Sequence, residues 1–188
     1  MSKQITLTIY TFSELSNKAK DVVRQRQMEG GYFAADDTLA SLKAMAEHFG
    51  TKVENYSIDF FGGSYSYATF TIVNELPDES DIARLLAELG TFDAKTLKGH
   101  GECKLTGYCA DEDAIDGFRQ AWRAGERNLE KLLQAGFKTW LKAAQADCAS
   151  QFEDEQLSEN CDANDMMFYA NGNVFHESDV AQHASTSG

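Results

Sequence analysis

The stretch 51-TKVENYSIDFFGGSYSYATFTIV-73 decides the fold class. Its two runs, 51–61 and 65–73, are dense in aromatic and β-branched residues, which fit a pleated, half-buried surface. Gly62-Gly63 lies between them, where a tight reversal needs backbone that residues with side chains resist. The spacing predicts a β-hairpin. Tyr65 and Tyr67 fall on one arm. They have two competing uses: exposed contact, since tyrosine is common at protein interfaces, or cross-strand packing.

Helical signals flank the hairpin on both sides. Upstream, Leu39, Leu42, Met45, Ala46 and Phe49 keep helical spacing, Asp36 or Asp37 is placed as the cap, and Gly50 is a natural stop. Before that, 13-SELSNKAKDVVRQRQ-27 reads as a helix with Ser13 or Ser16 as cap, and Gly30-Gly31 ends it. The alternating stretch 4-QITLTIYTF-12 reads as a half-buried strand. Downstream, 77-PDESDIARLLAELG-90 has an acidic first turn and an apolar side of Ile82, Leu85, Leu86 and Leu89, hence a helix. The stretch 102-ECKLTGYCA-110 reads as a fourth strand. Residues 111–152 are expected to be helical, with Gly125 and Gly136 as possible breaks. A short helix over 154–164 and a hairpin around Asn171-Gly172 follow. Strands interleaved with helices predict an α+β fold: an antiparallel or mixed sheet of about four strands packed by helices, a long C-terminal helical region and a short final hairpin. The expected organisation is an α+β domain over 1–152, an acidic segment over 153–176 packed on it, and a loose tail over 177–188.

The 188 residues carry a net charge of −13, with 43% hydrophobic residues and 12 Phe, 7 Tyr and 2 Trp. That composition can build a core and argues against wholesale disorder. The charge is uneven: residues 151–188 hold eight acidic residues and no Lys or Arg. Such a chain is repelled by nucleic acids and anionic membranes, and its natural partner is a cation or a basic protein surface. The N-terminus lacks the pattern of a signal peptide, and no apolar run approaches a membrane span. The expectation is a soluble protein of the bacterial cytoplasm, with no membrane or direct nucleic-acid partner.

No motif for catalysis, cofactor or metal survives inspection. Cys103, Cys109, Cys148 and Cys161 include no C-x-x-C pair, and Cys103 and Cys109 read as buried thiols. In 162-DANDMMFYANGN-173 a methionine stands where a calcium loop needs its third oxygen ligand, and Gly172 comes too late. The sequence 100-HGECK-104 places His100 and Glu102 on one face of a strand and Cys103 on the other, which separates a nucleophile from its base. Arg119, Arg123, Arg127 and Lys131 recur at steps of four, followed by Lys138 and Lys142. Asp116, Glu126 and Glu130 are interleaved at pairing distance, so this stripe reads as a solvated ion-pair face. The remaining feature is the acidic run itself: Glu153, Asp154, Glu155, Glu159, Asp162 and Asp165. Its carboxylates are too dense for selective acid–base work.

The opening 7-LTIYTFSELSNKAKDVV-23 resembles that of a family of small proteins carried by phages and mobile elements, in which a short strand leads into an F-x-E-L-S-x-x-A-K helix start. The hairpin 59-DFFGGSYSYATF-70 and the end, from 137-FKTWLKAAQ to NGNVF-175, are similar to that family too. The likeness covers about residues 4–176, and 99-GHGECKLTGYC-109 departs from it. Members are often labelled antitoxins of toxin–antitoxin systems, and the family supplies no catalytic residues. Small acidic proteins of this origin also resemble anti-CRISPR proteins. The resemblance implies a non-enzymatic, DNA-mimicking inhibitor without cofactor that binds a CRISPR effector complex, or an antitoxin that binds its toxin. The binding residues would be the six carboxylates together with Tyr65 and Tyr67. Oligomeric state is left open.

Overall fold

The computed structural model describes residues 6–31, 34–73, 75–89, 105–106 and 110–178. In chain order these form a 3-10 turn at Phe12–Glu14, then α1 (Asn17–Glu29), α2 (Ala35–His48), β1 (Thr51–Ser57), β2 (Tyr67–Ile72), α3 (Glu79–Glu88), α4 (Ala110–Arg123), α5 (Leu129–Ser150) and α6 (Asp154–Ala163). Contacts divide the chain into two units: Met1–Gly31 with Ala149–Gly188, and Tyr32–Cys148 between them. This division differs from the sequence-derived one, because residues from both ends of the chain share a unit.

In the central unit the hairpin forms as expected. β1 and β2 pair antiparallel from Thr51↔Ile72 to Ser57↔Tyr67, with a bulge between Val53 and Asn55. Helices supply most of the core. The Trp140 indole N–H donates to the Thr38 carbonyl at 2.9 Å, which satisfies the one polar atom of a fully buried side chain. Phe49 stacks on Phe118 at 4.1 Å, and Leu42, Met45, Leu132 and Leu133 fill the space around them. Gly125, at φ +97°, breaks the helical region into α4 and α5. Gly136 breaks nothing. It lies inside α5, where an added Cβ would meet the Ala114 carbonyl of α4 at 2.7 Å, and Gly117 of α4 faces the Ala135 carbonyl in the same way. These glycines let two helix backbones come close.

Three expectations need correction. Among the described residues the only sheet is two-stranded, not four-stranded. Residues 7–9 keep the alternating burial that marked a strand, yet among the described residues only Tyr10 finds a strand partner, a single antiparallel bridge to Phe168. Alternation reports which side chains are buried, not whether a neighbouring strand exists. The expected fourth strand falls mostly on 102–104 and 107–109, outside the described residues. Lastly, α2 starts at Ala35 after Ala34, so Asp36 and Asp37 are not caps but sit in its first turn, where their charge favours the helix dipole.

The terminal unit explains the local sequence at its start. The Glu14 carboxylate accepts from the Thr11 N–H (2.8 Å) and hydroxyl (2.9 Å), which closes the 3-10 turn, and its pKa is lowered by these bonds. Ser16 caps α1 by accepting from the Ala19 N–H at 3.3 Å. Phe12, Leu15 and Ala19 are buried, and Lys20 lies over the Phe12 ring. The end of the chain returns beside them. Phe168 is bridged to Tyr10 and to Val174, and the turn at Gly172 (φ +84°) packs so closely on α1 that a Cβ there would collide with the Ala19 carbonyl.

Candidate protein-binding surfaces

The acidic stretch is folded as α6, with Leu157 and Cys161 on its buried side. Helical spacing separates the six carboxylates into different roles. Glu155, Glu159 and Asp162 follow one another at steps of four and three, so they line one exposed ridge about 10 Å long. None has an ion pair among the described residues. Glu153 stands at the N-cap position without a side-chain cap bond. Asp154 faces elsewhere. It pairs with Lys20 at 3.2 Å and with Arg24 at 2.5 Å, and Arg24 also donates to the Phe152 carbonyl at 3.0 Å. The Lys20 hydrogen bond, helped by Arg24, lowers the Asp154 pKa. Asp154 is therefore a tie between α1 and α6. Asp165 has a different use again. With φ +50° it ends α6, its N–H bonding to Asp162 and the N–H of Met166 reaching back to the Cys161 carbonyl at 2.9 Å.

Glu155 suits the first turn of α6, but the rest of the ridge is costly to the helix that carries it. Like charges at i,i+4 oppose each other, and α6 places Asp162 in its last turn with no basic residue there, the wrong sign for the dipole. Residues that break a local rule without a compensating contact are candidates for function.

Tyr65 and Tyr67 belong to the other unit and form a separate surface. Asp59 organises the connecting loop: its carboxylate accepts from the N–H groups of Phe61 (2.9 Å) and Ser64 (2.5 Å), and its own N–H donates to Ser66 (2.9 Å). Those backbone bonds, Phe61 first, lower its pKa. The loop holds Tyr65 out at 85% exposure, stacked on Tyr67 at 6.3 Å, with Phe61 also exposed. A pre-ordered aromatic contact loses little side-chain freedom on binding.

The basic stripe does not survive as a stripe. Gly125 ends α4, so Arg119 and Arg123 lie on one helix while Arg127 lies in the turn and Lys131 on α5. Arg119 is near Glu112 and Asp116, Arg127 pairs with Glu79 at 2.7 Å and covers the Trp122 ring, and Lys131 is near Glu126. The ion-pair reading of these residues fits these contacts.

Reading along the chain missed the basic pair Lys20 and Arg24, whose i,i+4 spacing on α1 is the signal that an acidic partner was needed. It also missed Glu112 and Asp113 on α4, whose pKa values burial raises. Helix-start carboxylates look solvated in sequence, so nothing in the sequence marks them. His100, Glu102, Cys103 and Cys109 lie outside the described residues. Cys148 and Cys161 are buried thiols whose pKa burial raises. Among the described residues no group of three or more His, Cys, Asp or Glu is arranged to hold a metal ion, and no helix is long and apolar enough to cross a membrane. Comparisons with protein-family models, curated proteins and solved structures found no match.

Proposed function

We propose that the chain is a non-enzymatic inhibitor that docks the α6 ridge on a basic, nucleic-acid-gripping surface of a bacterial defence complex, of which a CRISPR effector is the leading candidate. One observation carries this reading: among the described residues Glu155, Glu159 and Asp162 share an exposed face without counter-ions, although like charges at this spacing oppose one another and Asp162 opposes the helix dipole. Carboxylates held on a rigid helix compete for the Lys and Arg rows that hold DNA backbone. Capture of bacterial proteins on the tagged chain, washed at rising salt, is the test. A nucleic-acid-handling complex is expected to bind, to leave at high salt, and to be lost with Glu155→Lys, Glu159→Lys and Asp162→Lys combined. Retention by the triple variant refutes the ridge.

The Tyr65–Tyr67 surface favours a second reading, an antitoxin that neutralises one toxin by direct contact. Binding through stacked, exposed aromatics is mostly apolar and survives salt. It predicts a small protein retained at high salt and released by Tyr65→Ala.

A further inference from the structure

We propose that the outer edge of β2 and the first turn of α5 form a groove that takes an extended peptide segment of a partner protein as a third strand. This inference is independent of the α6 ridge. The Val73 N–H bonds to the Gly50 carbonyl at 3.0 Å, which fixes the alternation along β2: Val73 and Thr71 turn their backbone groups toward β1, while Ile72 and Phe70 turn theirs away. Ala68 continues the outward series, and its carbonyl is taken by the Gln134 amide at 2.7 Å. Among the described residues, Phe70 and Ile72 have no hydrogen bond outside the β1 ladder. Beside them opens a cavity of about 650 Å³ walled by Phe70, Ile72, Leu76, Leu129 and Leu133. Ile72 is on the core-facing side of β2 yet 45% exposed, and Leu76 at the mouth is 63% exposed.

These features select the occupant. Two outward backbone pairs separated by one residue are matched by an extended chain and by little else. Peptide residues opposite Phe70 and Ile72 project to the same side as those two, into the cavity, so the segment carries apolar side chains at two alternate positions. The cavity also borders Arg127 and the start of α5. There, among the described residues, the N–H groups of Leu129 and Glu130 and one guanidinium nitrogen of Arg127 have no partner, while the Lys131 N–H is taken by Asn128. A carboxylate next to the apolar pair complements them. Glu130 is the one acid in the lining and sits on the solvent side. A second copy of the chain fits poorly. Gln134 closes the edge at Ala68, leaving too short a run for two β2 strands to pair, and two chains of charge −13 repel.

The test uses the full chain against an immobilised decapeptide array with two apolar residues at alternate positions and Asp or Glu beside them, followed by fluorescence anisotropy with the best peptide. Ile72→Pro removes the outward N–H without breaking a ladder bond; Ile72→Ala keeps it. Circular dichroism melts confirm that both variants fold. Proline is expected to weaken binding about tenfold more than alanine, and methylating the paired peptide nitrogen to do the same. Equal binding by the two variants, an array with no binder, or sedimentation showing that the chain self-associates through this edge each overturn the proposal.

Discussion

Asp154→Asn and Asp162→Asn are the same chemical change, eight residues apart in one helix, and they are expected to act in opposite directions. Asparagine at 154 removes the charge that ties α6 to Lys20 and Arg24. Half-exposed pairs of this kind contribute about 0.2–1 kcal/mol each, screening included. The carboxylate also opens the helix, where the dipole favours it by about 0.3–1 kcal/mol. The loss is about 1–2 kcal/mol. Asparagine at 162 relieves an unfavourable charge at the other end of the dipole and a like-charge neighbour, Glu159. The gain is about 0.5–1 kcal/mol. Hydrogen exchange of the α6 amides reads both directly, since 1.4 kcal/mol is tenfold in protection. Protection should fall about five- to thirtyfold with Asp154→Asn and rise about two- to fivefold with Asp162→Asn. The Asp154 contribution has a pH signature. Its folded pKa lies below the ordinary value near 3.8, so the stabilisation is full above that value and disappears as pH falls through the folded one. Both substitutions shifting protection the same way refutes the division of α6 into a tied carboxylate and a ridge.

Gly117→Ala should destabilise the central unit by about 1–3 kcal/mol in urea unfolding followed by tryptophan fluorescence, because the new methyl meets the Ala135 carbonyl at 2.5 Å. Adding Thr139→Ala should restore only part of this, since the carbonyl remains. Asp165→Gly should raise α6 protection by about 0.5–1 kcal/mol, glycine adopting the left-handed C-terminal position without strain. Asp59→Ala should loosen the 59–66 loop, seen as faster exchange of the Phe61 and Ser64 amides. The parent loop should loosen only in acid, as pH falls through the lowered Asp59 pKa.

Helices were legible wherever apolar spacing was regular, as in Leu39–Phe49 and Ile82–Leu89, and the hairpin was legible from composition and a glycine pair. What failed was pairing. Tyr10 and Phe168 meet across the length of the chain, and no local pattern says which extended segment will find a partner. The acidic run was legible as charge but not as geometry. Its six carboxylates looked equivalent until the helix turned Asp154 toward α1 and left Glu155, Glu159 and Asp162 to solvent. Likewise Arg127 and Lys131 looked continuous with Arg119 until Gly125 ended the helix between them. The cavity beside β2 had no sequence signature, because it is made by a strand edge and a helix start brought together by the fold.

The terminal unit is assembled from the two ends of the chain, and this sets an order in time. Residues 12–23, with Phe12, Leu15 and Val23 destined for burial, are synthesised before the central unit. Phe152, Leu157 and Phe168, which are buried in the same unit, follow roughly 130 residues or more later, on the order of 6–26 s or longer at bacterial elongation rates. The apolar side chains of residues 12–23 therefore lack these partners until α6 and the residues after it have been made, and the ridge forms only then.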